Sequence, residues 1–561
     1  MVYLKKLTLT ALALGAAEKY SKRTAFDVYR DGYTYNRITY GEFGVRVRRL
    51  GSLLMGLGLK AGDRVMLLAE NRPGWPVCYF AAARAGLVTV PALVDFIPEQ
   101  IKTIAVHAGV SALCITERTA AKINEAGIDP AIPRIYIDRV GEGEAGETAR
   151  SGTAPETEAP FPDTREEDPA VIIYTSGTTG NSKGVVLSNR NLLSNALAAR
   201  SLMRIFPRDR LLSVIPLAHT YECTLGLLSA VMNGAVTTYL DRPPSPKVLL
   251  PALQALRPTA MLTVPLFIEK IYRHHIRPAL LKHPLYRFPP TRPLAIASAG
   301  RKLLGVFGGA IRFYGIGGAP LPADTEDFLR KVQFPYAPGY GLTETSPLVA
   351  GTAPYRFPFR SAGQVLKGIE VRIAGAAPEG AWAGSAWAGS AWAGSALASS
   401  AWAEGEIQVR GPNVMMGYYR NEEMTRAAFT SDGWLKTGDL GYLDRKGRLY
   451  VRGRLKAMIL GPSGENIYPE DIEGLLTASE IVEEALVYPG GRGELIALIV
   501  LSERARTMLA ALGDSLEELK NRVNKRLAAF SRLNRIEVRE EPFEKTATAK
   551  IKRFLYSPDQ P

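Results

Sequence analysis

The sequence predicts an α/β protein built from more than one folding unit, and three observations carry that expectation. Short β-branched runs alternate with helical stretches through residues 1–170, a rhythm that demands sheets covered by helices. At 561 residues the chain exceeds what one hydrophobic core ordinarily serves, so roughly two to four units are expected. An apolar share of 46% with 22% charged residues matches soluble globular composition.

In chain order, the first element is the charged, helix-like stretch Ala16 to Lys22. Ahead of it, Lys5-Lys6 and the apolar run Leu7 to Ala17 have the outline of a secretory signal. Thr8 and Thr10 interrupt that run and it flows straight into the helix, so it reads as part of the fold. Thr39 to Phe43 opens an amphipathic helix reaching Leu57, with Phe43, Val47, Leu50, Leu54 and Leu57 at helical spacing. Val65 to Leu68 is a strand, Asn71-Arg72-Pro73 starts a helix running through Ala81 to Ala85, and Leu87 to Pro91 is a strand again.

Val171-Ile172-Ile173 then leads into Tyr174-Thr-Ser-Gly-Thr-Thr-Gly-Asn-Ser-Lys-Gly184, and Val185 to Ser188 reads as a second strand. Three glycines allow a tight backbone that approaches a ligand, and hydroxyls with the Lys183 ammonium supply donors for phosphate oxygens. A Walker loop would need Gly and Ser or Thr where this chain has Ser182 and Gly184. A Ser/Thr/Gly surface linker has the same composition.

The stretch Tyr174 to Gly184 resembles the phosphate loop of the adenylate-forming superfamily, which includes acyl-CoA synthetases, luciferases and peptide-synthetase adenylation domains. Further segments resemble the same family in the same order. The resemblance implies ATP or AMP binding by Thr175, Ser176, Gly177, Thr178, Thr179, Gly180 and Lys183. Asn189-Arg190-Asn191 is expected to cap a helix, and Leu211 to Ile215 to form a strand. His219 follows that strand; a lone histidine is most often a core or surface residue, but its place after a strand end and the resemblance put it in the acyl pocket. Leu225 to Val236 reads as a helix walling that pocket, or as ordinary core.

Thr263 to Ile271 resembles the long-chain acyl-CoA synthetases. Gly315 to Pro322 paired with Gly339 to Thr345 resembles the adenine site, with Gly318, Ala319, Tyr340, Gly341 and Thr343 binding nucleotide. Glu344 offers a hard oxygen ligand for Mg²⁺. Asp439 matches the carboxylate that grips the ribose hydroxyls, Arg454 the arginine that reaches the nucleotide, Lys456 the hinge, Gly464 the loop beside coenzyme A, and Lys550 the catalytic lysine. Thr343, Glu344 and Lys183 share the catalytic role with Lys550. Ala549 departs from the glycine common in the family.

The implied architecture is a large N-terminal domain, residues 1–452, of packed α/β subdomains with sheets and a small barrel-like part. A small mobile α+β C-terminal domain, residues 453–561, follows. Residues 381–403 interrupt the N-terminal domain with Ala-Trp-Ala-Gly-Ser pentads, whose period suits neither helix nor strand, so they read as an expanded surface loop. Trp382, Trp387, Trp392 and Trp402 there would suit a membrane or a partner.

The net charge of +14 favours anions such as ATP, coenzyme A, fatty acids or acidic lipid. No zinc-finger spacing, aromatic-basic signature or long basic block points to nucleic acid. Cys78, Cys114 and Cys223 are too few and too dispersed for a disulfide framework. His274-His275 has no accompanying ligands and is assigned no metal. The basic stretch around it reads as a solvated face or, more sharply, as one that meets phospholipid. No run of about 20 apolar residues exists to span a bilayer, so the expected location is cytoplasmic, with contact at the inner membrane face.

The reaction implied is AMP-forming ligation of a long-chain fatty acid to coenzyme A, with ATP and Mg²⁺. An acyl carrier protein is the alternative acceptor, and an inactive nucleotide- or lipid-binding module the alternative of another class.

Overall fold

The computed structural model describes residues 1–138, 160–176, 182–375, 404–460, 466–490, 494–506, 512–545 and 551–556. Gly177, Thr178, Thr179, Gly180, Gly464, Lys550 and the pentad segment with its four tryptophans lie outside the described residues.

The α/β expectation holds. Tyr40–Gly56 is a helix begun by Thr39, whose side chain accepts from the Glu42 amide while Glu42 reaches back to the Thr39 amide. That reciprocal cap satisfies two donors which the first turn would otherwise leave open. Phe43, Val47, Leu50 and Leu54 are buried along its inner face.

Two large sheets organise the described residues. In the first, of seven strands, Arg64–Leu68 and Val88–Ala92 pair in parallel, Pro169–Ser176 joins them, and Ser182–Ser188 and Gly417–Tyr418 extend the edge antiparallel. The second has thirteen strands. Thr24–Arg30, Val236–Leu240, Arg210–Ser213, Ala260–Thr263, Phe313–Ile316 and Tyr336–Gly341 run parallel, with the hairpin strand Tyr33–Thr39 at the outer edge. From Tyr336–Gly341 onward the pairing turns antiparallel through Leu348–Gly351, Gly363–Val365, Arg448–Arg454, Leu435–Leu443, Gly405–Arg410 and Glu370–Ala374. The barrel-like part is expected here, and its strands are continuous by hydrogen bonding with the parallel half.

Toward the C-terminus, Val482–Pro489 and Leu495–Leu501 pair antiparallel and Arg535–Arg539 adds in parallel. The helices Pro469–Thr477 and Leu512–Asn524 belong to the same region. Ile472, Leu476, Val487, Ile499 and Leu519 form a core separate from those of the larger sheets.

Three local expectations change. Ser188 is the N-cap of the helix Asn189–Ala199, its hydroxyl accepting from the Asn191 amide, and Asn191 of the expected trio completes the cap by accepting from the Ser188 amide. The strand expected to reach Ile215 stops at Ser213. The helix expected over Leu225 to Val236 begins earlier, at Tyr221, as eight residues of π-helix, and continues as Ser229–Asn233. Gly234, at φ 71°, ends it in the left-handed region where glycine is unstrained, and Val236 opens a strand. All three cysteines are buried and free.

Candidate functional site

The parallel strands Arg210–Ser213, Ala260–Thr263, Phe313–Ile316 and Tyr336–Gly341 all end on one edge of the large sheet. Ligand crevices of α/β sheets form at such carboxyl ends. His219, Gly318 with Ala319, and Thr343 lie past these ends, and Gly341 is the last residue of its strand. The two glycine-rich segments come together because their strands are neighbours, with Tyr314 opposite Tyr336 and Ile316 opposite Pro338.

Gly318 has φ 89°, a conformation L side chains rarely adopt. At Gly341 a Cβ would stand 1.8 Å from the Pro347 carbonyl oxygen, so only glycine lets this turn close.

Tyr340, Asp439 and Arg454 form one cluster. Antiparallel pairing puts Asp439 directly opposite Arg454. The buried Asp439 carboxylate receives the Tyr340 hydroxyl on Oδ2 at 2.7 Å and Arg454 Nε on Oδ1 at 2.8 Å. Thr437 supports it, accepting from the Asp439 amide at 3.0 Å while its own carbonyl receives Arg454 at 3.3 Å. Burial, then the neighbouring Asp439 charge, holds the Tyr340 hydroxyl well above its usual pKa, so it remains a donor.

Glu344 sits in the short 3₁₀ turn Thr343–Thr345. Its Oε1 accepts from the Tyr418 hydroxyl at 3.0 Å and its carbonyl from the Met415 amide at 2.9 Å. Tyr418 pairs with Val185, in the strand that includes Lys183, and Lys183 Nζ lies 5.4 Å from the centroid of the Tyr418 ring. Glu344 and Lys183 are thus joined through one tyrosine. Two fully buried amides brace the turn: Asn195 donates to the Leu348 carbonyl at 2.6 Å, and Asn413 to that of Thr345 at 2.8 Å.

The loop's two arms form a hairpin in which Thr175 faces Lys183 and Ser176 faces Ser182. Behind it the Tyr174 hydroxyl meets His107 Nδ1 at 2.6 Å. Lys456 falls in the 3₁₀ turn Leu455–Ala457, directly after the strand bearing Arg454.

His219 is enclosed, and its Nε2 has no hydrogen-bond partner among the described residues. Burial pushes its pKa down to about 4, partly opposed by Asp95, so the imidazole is neutral near pH 7. In the π-helix that follows, burial pushes the Glu222 carboxyl up to about 8.

Sequence reasoning does not single out Tyr418, Thr437, Asn195 or Asn413 as site residues. Two further stretches, Met415 to Tyr419 and Asp432 to Gly441, also resemble the family, so a signal exists for Tyr418 and for Thr437. The two asparagines have none, since a buried amide and a surface amide look alike in one sequence.

A protein-family model described as AMP-binding enzyme matches residues 15–419, and one described as AMP-binding enzyme C-terminal domain matches residues 457–556. The chain belongs to the AMP-binding enzyme family. This AMP-binding enzyme is 31% identical over 500 residues to a long-chain-fatty-acid–CoA ligase, FadD15, of Mycobacterium bovis, covering 83% of this chain and 78% of that one. It is also 31% identical over 455 residues to a feruloyl-CoA synthase of an Amycolatopsis species, covering 80% of each. Among solved structures it is similar to an ATP-bound RpMatB-BxBclM chimera, with a TM-score of 0.74, 25% identity and 98% of each chain covered.

Proposed function

We propose that this AMP-binding enzyme is an acid–CoA ligase that activates a long-chain fatty acid as its acyl-adenylate and passes the acyl group to coenzyme A. The Tyr340–Asp439–Arg454 cluster carries the reading. A buried carboxylate, two acceptor oxygens on one rigid group held by Tyr340 and Arg454, suits vicinal ribose hydroxyls, and the Gly318 backbone leaves room for a purine. Similarity to the Mycobacterium bovis ligase supports a long-chain acid, and the resemblance of Thr263 to Ile271 points the same way.

A carboxylate oxygen is a poor leaving group, so thioester formation needs prior activation. The carboxylate attacks the α-phosphorus of ATP, the bond to the β-phosphate breaks, and pyrophosphate leaves. Thr175 to Gly180 and Lys183 bind the phosphates, and Thr343 hydrogen-bonds an α-phosphate oxygen. Among the described residues no group of three His, Cys, Asp or Glu could hold a metal. A lone Glu344 nevertheless fits Mg²⁺, which takes most of its oxygens from phosphate and water. When bound, Mg²⁺ neutralises phosphate charge.

Lys550, on the domain of residues 453–561, adds positive charge for adenylation. A swing of that domain about Lys456 against residues 1–452 withdraws it and brings Gly464 beside the thiol. Neutral His219 lines the acyl pocket without adding charge beside the carboxylate. The thiol attacks the acyl carbon and AMP departs.

The test is a panel of saturated acids of increasing length together with ferulate, assayed with coenzyme A and with an acyl carrier protein. The highest kcat/KM is expected for a long-chain acid with coenzyme A. Preference for ferulate, for short acids or for the carrier protein would overturn this reading.

A further inference from the structure

From Lys270 to Ala323 the chain contains nine lysines and arginines and not one aspartate or glutamate. Its most outward part is the helical run Arg277–Lys282, Pro284–Arg287, Pro289–Thr291 and the start of Arg292–Val306. The inward side of this run is already packed, with Leu280, Ala295 and Leu303 buried in the core behind it. Beside those buried residues Leu281, Leu285, Phe288 and Leu294 point out, 43%, 42%, 61% and 62% exposed. Singly exposed leucines are unremarkable, but four large apolar side chains on one short run are surplus to the core they border.

Lys282, Arg287 and Arg292 are interleaved with them and equally exposed. Among the described residues none of the three makes an ion pair with a carboxylate. Arg292 instead donates Nε to the Tyr286 carbonyl at 3.0 Å. Cations not neutralised by the fold, alternating with apolar side chains that would enter an acyl boundary, match the chemistry of an anionic lipid surface. No described helix is long and apolar enough to cross a membrane, so the contact is with its face.

We propose that the surface from Leu281 to Leu294 docks this protein on an anionic lipid bilayer. The same segment runs back through Ile271 and Pro265 to Val264, whose Cγ1 lies 3.8 Å from where a Cβ would stand on Gly318. The docking surface is thus joined to the strand-end site by the consecutive helical segments Pro265–Lys270, Ile271–Ile276 and Arg277–Lys282. The contact itself does not depend on which acid is activated.

The experiment is sedimentation of the full chain with phosphatidylcholine vesicles, with and without about 30 mol% phosphatidylglycerol. Wild type is expected to sediment with the anionic vesicles and to be released at high salt, because screening removes the charge attraction. Phe288→Ser/Leu294→Ser and Arg287→Glu/Arg292→Glu are each expected to weaken binding about tenfold or more. Both variants should keep the thermal unfolding midpoint and the ATP–pyrophosphate exchange of wild type with a water-soluble acid. Equal binding to both vesicle types, or variants that bind as wild type does, would overturn the proposal. So would loss of binding on deleting residues 381–400, or retention on an acyl carrier protein without retention on vesicles.

Discussion

Tyr418 and Glu344 are 74 residues apart in the chain, yet the phenol of the first donates to the carboxylate of the second at 3.0 Å. The same ring lies beneath the Lys183 ammonium. Tyr418→Phe keeps the ring and removes the donor. A hydrogen bond to a charged group contributes roughly 1.5–3 kcal/mol, so kcat/KM for MgATP is expected to fall about 10- to 100-fold. The concentration of Mg²⁺ needed for half-maximal rate should rise while the unfolding midpoint changes little. An unchanged Mg²⁺ dependence would contradict the link.

Asp439 and Arg454 are expected to act on nucleotide as a pair. Arg454→Ala leaves a buried carboxylate with one partner fewer, and Asp439→Ala removes the acceptor shared by Arg454 and Tyr340. Calorimetric AMP affinities of both single variants and the double should therefore be non-additive by roughly 1–2 kcal/mol. Additive losses would show that the two groups reach the ligand independently.

Much of the fold was legible because local signals agree with the tertiary outcome. Thr39 followed by Glu42 announces a capped helix, and Val171 to Ile173 ahead of a glycine-rich loop announces a buried strand. The proximity of Gly318 to Gly341 could be anticipated only through resemblance, since a sequence pattern gives two strands flanking the helix Ala323–Lys331 but not that they pair with each other. Tyr418 reaches Glu344 because Gly417–Tyr418 adds to the strand Ser182–Ser188, a pairing no local pattern encodes. The early start of the helix at Tyr221 escaped for another reason: π spacing lacks the 3.6-residue periodicity by which helices are recognised.

Gly341→Ala is expected to damage structure and activity together. The added Cβ would meet the backbone oxygen of Pro347, which no side-chain rotation can relieve. Destabilisation of about 2 kcal/mol or more is expected, read from denaturant unfolding, with adenylation largely lost. A variant of wild-type stability would contradict the closeness of that turn.

Glu222 predicts a pH dependence. Its native pKa, pushed up to about 8 by burial, exceeds the ordinary glutamate value of 4.5, so between these the native state holds a proton that the unfolded chain has released. Stability from this group is therefore whole below about pH 4.5 and is lost as pH rises toward about 8. Glu222→Gln cannot ionise and should gain on wild type in unfolding midpoint across that window. A constant difference between the two proteins would contradict the buried neutral acid.

Acid-dependent exchange of labelled pyrophosphate into ATP, in wild type and in Lys550→Ala, tests the central claim most directly. Wild type is expected to exchange and to form AMP in step with thioester. Lys550→Ala should lose exchange at least about 100-fold while still making thioester from supplied acyl-AMP. ADP as the product, or no exchange with any acid, would contradict activation through an adenylate.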